Sequence, residues 1–129
     1  MSLNPITFEF DNTILFDQAK GELLFEDIVD HYKLLFEHQN FFVGIPALYD
    51  FSQVTKISGS LSNFEQTAKD MGDSNIINKS SYVAIVVSPE DKSMNSIWNA
   101  YCQMMEYTLM NVKVFHTKES ALVWLENTH

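Results

Sequence analysis

Residues 6 to 10, ITFEF, alternate apolar and polar side chains, the period of a strand with one covered face. Asp11-Asn12 interrupts the alternation and a second β-rich run follows from Thr13 to Lys20, so the two runs predict a hairpin. After Gly21 the period changes. Leu24, Phe25, Ile28, Val29, Tyr32, Leu35 and Phe36 recur at intervals of three and four, with Glu26, Asp30, Lys33 and Glu37 opposite them, which predicts an amphipathic helix ending near Asn40. Gly44-Ile45-Pro46 turns the chain into a short apolar strand from Ala47 to Phe51, and Ser52, Gln53, Thr55, Ser58, Gly59 and Ser60 predict a polar loop. Ser62-Asn63-Phe64-Glu65 has the form of a capping box, in which hydroxyl and carboxylate each satisfy an orphan amide at a helix start. Leu61, Phe64, Ala68 and Met71 then share one face, and Gly72 ends the helix.

The run SYVAIVVS from Ser81 is almost wholly apolar, as a strand is when both its faces are covered in the centre of a parallel or mixed sheet. Ser88-Pro89-Glu90-Asp91 predicts an N-cap, a proline at the first helical position and two acids in the first turn of a helix reaching about Met110. A short strand from Val112 to Phe115 and a helix from Thr117 to about Asn127, packing Ala121, Leu122, Trp124 and Leu125, close the chain. The order β-β-α-β-α-β-α-β-α predicts a single α/β domain over residues 1–129, with a mixed, mostly parallel sheet opened by one antiparallel hairpin.

Composition narrows the function more than the fold. At 129 residues, 46% hydrophobic and 19% charged, the chain is long and apolar enough to fold on its own core. Seventeen acids face eight bases, all of them lysine, for a formal net charge of −9. Without a basic footprint or a guanidinium fork, nucleic acid and anionic membrane are poor partners. The single cysteine, Cys102, excludes an internal disulfide framework and fits a reducing compartment. The opening residues lack the basic start and apolar run of a signal peptide, and no long uncharged run follows, so the expected location is cytoplasmic with no integral membrane segment.

Gly21 ahead of an acidic helix, ALYDF as a middle strand, VAIVVS, and the closing VKVFHTKESALVWL together resemble the SpoIIAA-like branch of the STAS superfamily over nearly the whole chain. The resemblance implies a mixed-sheet α/β fold and a non-enzymatic, regulatory role through protein contacts. A similarity in architecture to Sec14-type carriers implies, as the alternative, an apolar small molecule or lipid as ligand. In anti-anti-sigma factors of this superfamily the regulatory serine lies in an Asp-Ser-Ser-Gly turn after the third strand. The matching stretch here is Lys56-Ile57-Ser58-Gly59-Ser60-Leu61, in which the acid is replaced by Ser58 and a serine by Gly59. Ser58 and Ser60 are therefore the candidate regulatory residues, weighed against ordinary loop and capping serines.

Candidate chemistry is sparse. Asp27, His31 and His38 fall within about 40° on one helical face, but Asp27 and His38 stand about 16 Å apart along the axis, too far for one metal. That face is read as polar and solvated, so no metal is expected. Cys102 sits in a helix of Met and aromatic residues, where a thiol acts as a small hydrophobe. Asp17 and Asp50 could meet near a sheet edge as general acid or base, though nothing in their spacing requires it. Four scattered glycines form no phosphate loop, so no nucleotide cofactor is expected.

The helix from Glu90 to Met110 carries the most information. Ile97, Trp98, Tyr101, Met105 and Thr108 form a core stripe, and Met94, Met104, Tyr107 and Met110 widen the apolar arc beyond it. Met94, Trp98, Tyr101 and Met105 are thus candidates for lining a ligand pocket or an interface, with a protein partner, an identical chain in a homodimer, or an apolar ligand as occupant. The bland alternative is an ordinary core with a few surface methionines. No catalytic residues and no cofactor are expected.

Overall fold

The computed structural model describes residues 6–11, 14–42, 44–59, 66, 82–105 and 111–127. Strands β1 (Thr7–Asp11) and β2 (Ile14–Leu24) pair antiparallel, with Thr7 opposite Gln18 and Asp11 opposite Ile14, as the alternation predicts. Strand β3 (Ala47–Ser58) lies parallel to β2, β4 (Tyr82–Val86) parallel to β3, and β5 (Asn111–Phe115) parallel to β4, giving a five-stranded sheet in chain order. Helix α1 (Phe25–Phe36) follows β2, α2 (Lys92–Met105) follows β4, and α3 (Lys118–Asn127) closes the fold. The expected capping box at Ser62-Glu65 lies outside the described residues.

Two strands run further than their sequences predict. β2 continues through Gly21 to Leu24, and β3 continues from Phe51 to Ser58 through the stretch read as a loop. The reason is an irregular register: pairing slips between Gln18 and Lys20 and again between Gly21 and Glu22. The extra residues fall on β3, where they break the strict alternation by which a strand is recognised, while β2 keeps its alternation past Gly21. Gly21 marks such a slip rather than a strand end. Its φ of 73° lies in the left-handed region, while a Cβ there would meet nothing within 4 Å, so backbone conformation rather than space calls for glycine. Beyond Asp50, among the described residues, β3 pairs only with β2, and the two form a ribbon extending past the ends of β4 and β5.

The sheet is covered on both faces. On one, Leu15, Ala19, Ala47, Tyr49, Phe51, Val83 and Ile85 pack against Ile28 and Leu35 of α1 and Met94 and Trp98 of α2. On the other, Leu48, Ala84 and Val86 pack against Ala121 and Leu125 of α3. β4 is buried from Val83 to Val86, as its unbroken apolar run requires. Trp98, 1% exposed, stacks tilted on Phe51 at 5.1 Å and anchors α2; truncation of such a ring costs about 3–5 kcal/mol.

The helix starts rest on side-chain caps. α2 begins at Lys92, later than Ser88-Pro89 predicts, because Asp91 is its cap: Oδ1 accepts the Met94 N–H at 3.0 Å. Ser88 instead opens a turn, its carbonyl accepting the Asp91 N–H at 3.3 Å. Thr117 caps α3 by accepting the Ser120 N–H at 3.1 Å. Among the described residues no helix is long and apolar enough to cross a membrane.

Candidate functional site

Strand alternation on β2 turns Leu15, Asp17 and Ala19 to the face that α1 covers, and the three- and four-residue spacing of Ile28, His31 and Leu35 turns all three towards the sheet. Asp17 and His31 therefore meet inside the protein. His31 Nε2 lies 2.7 Å from Asp17 Oδ2, with the two side chains 2% and 0% exposed, respectively. The rings of Phe8 and Tyr49 stand 5.5 and 6.4 Å from the imidazole. Asp17 Oδ1 has no hydrogen-bond partner among the described residues. Burial pushes the Asp17 carboxyl above its ordinary value of 3.8, opposed by the hydrogen bond and charge of His31.

This corrects the sequence expectation for His31, which placed it on a solvated polar face. Its neighbours in that reading are occupied elsewhere. Asp27 folds back to the start of α1, where Oδ2 accepts the Leu24 N–H at 2.9 Å. The His38 ring lies 4.7 Å from that of Phe10, and its Nδ1 accepts the Asn40 N–H at 3.1 Å. Among the described residues no group of three His, Cys, Asp or Glu side chains is placed to hold a metal. Asp17 and Asp50 do not converge either, because Asp17 lies opposite Tyr49 and Asp50 opposite Gln18, on the other face of the sheet. Asp50 Oδ1 accepts hydrogen bonds from the Ser52 N–H at 3.2 Å and the Ser52 hydroxyl at 2.7 Å.

The other sequence candidates divide. Met94 and Trp98 are core residues, 4% and 1% exposed; for Met94 this overturns its reading as part of a surplus apolar arc. The physical reason is helical spacing: Met94 lies four residues before Trp98 and three before Ile97, so it shares the inward face of α2. Tyr101 and Met105 belong to α2, but their side chains lie outside the described residues. Cys102 is half-buried and its thiol is pushed up to about 11 by burial, so it stays protonated at neutral pH and is a poor nucleophile. Ser58 ends β3 and donates its hydroxyl to Glu22 Oε1 at 3.1 Å. Gly59 follows with a φ of 112°, and a Cβ there would collide with the Glu26 carboxylate. Ser58 thus bonds one carboxylate while Gly59 beside it abuts another, an electrostatic setting that opposes a phosphate. Ser60 lies outside the described residues.

Concavities among the described residues open to solvent at the strand ends and over the sheet. The first, about 530 Å³, lies at the carboxyl ends of the parallel strands, between β3 and the start of α2, lined by Ser52, Thr55, Ser88, Asp91, Lys92 and Ser93 among others. Asn95 stiffens its rim: Nδ2 donates to the carbonyls of Ser88 and Asp91, both at 2.8 Å, and Oδ1 lies 2.8 Å from His116 Nε2. The second, about 380 Å³, lies over β1, β2 and β3 on the face that carries α3. Neither was legible as a pocket, since each is assembled from strands and a helix start distant in sequence.

The arrangement is a SpoIIAA-like fold. The chain matches an uncharacterized protein of the DUF3478 family with a SpoIIAA-like fold from Shewanella loihica PV-4, at 25% identity over 97% of this chain and 98% of that one, with a TM-score of 0.55. It also matches the anti-sigma factor antagonist SpoIIAA in its unphosphorylated form, at 10% identity over 95% of this chain and 98% of that one, with a TM-score of 0.53. No family model and no curated protein matches the chain. The architecture expected from VAIVVS and the closing strand and helix is borne out.

Proposed function

We propose that the chain is a non-enzymatic regulatory module that acts by binding a protein partner, and that the partner is met at the carboxyl end of the sheet. The observation that supports this reading most is the contrast between the two polar assemblies. The Asp17–His31 pair, which has the residue types of acid–base chemistry, has both side chains buried in the core. The hydroxyls and charges of the 530 Å³ cleft, by contrast, reach solvent, at the end of the strands where open α/β sheets present their ligands. The likeness to an anti-sigma factor antagonist lends the idea of a protein partner. Met94 and Trp98, two of the four residues on which an apolar-ligand reading depends, are packed in the core, which lends that reading no support.

Native mass spectrometry of the chain isolated from its host tests this reading. A discrete complex with a second protein, lost on Ser93→Arg at the cleft rim, is the expected result. A co-purified lipid with no protein partner would replace it with the apolar-ligand alternative.

A further inference from the structure

The second concavity has a regular construction. On the sheet face that carries α3, cross-strand register sets Thr7, Gln18 and Asp50 in one row across β1, β2 and β3, and Glu9, Phe16 and Leu48 in the next. Alternation turns the side chains of Phe8 and Asp17 to the other face, so they contribute only backbone to the groove. Leu48 is buried and forms the floor, Phe16 is half-buried, and the Lys118 ammonium sits 5.4 Å from the centre of the Phe16 ring.

The groove carries the Lys118 ammonium and the carboxylates of Asp50 and Glu9, and among the described residues no ion pair joins them. Among the described residues Lys118 has no carboxylate within 4.0 Å and makes only its contact with Phe16. Asp50 is held rigidly through Oδ1 by the Ser52 N–H and hydroxyl, while its Oδ2 takes no hydrogen bond from the described residues. In a chain with nine excess negative charges, an ammonium left without a carboxylate beside an oriented carboxylate calls for a ligand that carries both charges.

We propose that this groove binds a small zwitterion, an α-amino acid, whose carboxylate meets Lys118 and whose ammonium meets Asp50. Phe16, beside which the Lys118 ammonium sits, and Asp50 are one row and one strand apart, roughly 8 Å between backbones at about 6.6 Å per two residues and about 4.8 Å between strands, so both charges border the same patch of the sheet face. The Gln18 amide, directly opposite Asp50 in the register and two residues along β2 from Phe16, adds a donor and an acceptor for the ligand's polar edge. The Phe16 ring supplies an apolar surface for its side chain. The site lies on the sheet face away from Met94 and Trp98 and does not depend on the partner-binding reading.

Amide shifts followed by NMR during titration with L-leucine test the proposal, with N-acetyl-L-leucine, which lacks the cation, and L-leucinamide, which lacks the anion, as controls. Saturable shifts centred on Thr7, Gln18 and Asp50 are expected with leucine, and at least ten-fold weaker binding with either control. Lys118→Met and Asp50→Asn should each weaken leucine at least ten-fold. Lys118 is exposed at a helix start, so its replacement leaves folding intact and keeps the test decisive if Asp50→Asn does not fold. Absence of saturable shifts, equal binding of either control, or a smaller loss in the Lys118 variant overturns the proposal.

Discussion

Replacing His31 by leucine is expected to destabilise the protein far more than its conservative volume suggests, and to do so in a pH-dependent way. The substitution leaves Asp17 in the core with neither oxygen paired, because Oδ1 already lacks a partner among the described residues and Oδ2 loses its bond to Nε2. Removing one partner of a buried polar pair, so that the other is left unsatisfied in the core, costs about 3–5 kcal/mol. Against a typical domain stability of about 5–15 kcal/mol, that lowers the melting temperature by roughly 10–20 °C at neutral pH. The sign of the pH dependence follows from the direction of the Asp17 shift. Burial raises the folded carboxyl above its ordinary value of 3.8, so its contribution to stability is fully present below that value and is lost as pH rises through the folded one. His31→Leu removes the two influences that lower the folded value, so the variant's deficit should shrink as pH falls from 7.5 towards 5. Leucine at both positions should restore stability to within about 1 kcal/mol of the parent or exceed it, since well-packed apolar residues commonly replace a buried pair without loss. Urea unfolding followed by circular dichroism at pH 7.5, 6 and 5 measures all three chains. A His31→Leu protein as stable as the parent at pH 7.5, or a deficit that does not shrink on acidification, would refute the reasoning.

Met94→Asp should cost several kcal/mol and lower the urea midpoint sharply, because a carboxylate there is buried in the core. Ser58→Ala should change stability by no more than about 0.5 kcal/mol and leave partner binding intact, as measured by unfolding and by native mass spectrometry; Ser58→Glu, set against Glu22 and Glu26, should speed amide exchange at the end of the β2–β3 ribbon. With its thiol pushed up to about 11, Cys102 in the folded protein should react with a thiol reagent only slowly at pH 8 and much faster after unfolding, which a labelling time course reads directly.

Much of the sheet and its helices was legible because their patterns are strong and local. The run from Val83 to Val86 can be satisfied only by cover on both faces, and Thr117 and Ala121 through Leu125 carry a cap and an inward face. The second half of β3 was illegible for a physical reason: Ser52, Gln53, Thr55 and Lys56 look like a loop until a slipped partner strand supplies their hydrogen bonds. His31 illustrates a different failure. Its place in the row Ile28, His31, Leu35 was available as a signal of burial, but the residue type suggested solvent, and its partner Asp17 lies fourteen residues away on a strand. Met94 was misplaced although it lies about one turn before Trp98 and so shares its inward face, whichever residue caps α2. The two concavities depend on register between strands, which no single stretch of sequence contains.

Photo-crosslinking in the native host tests the central claim most directly. A photoreactive side chain is placed at Ser93 in the carboxyl-end cleft and, separately, at Val123, 55% exposed on α3. The account predicts one discrete adduct with a second protein from Ser93 and none from Val123. Adducts only with lipid from Ser93, or the same protein captured equally from Val123, would contradict it.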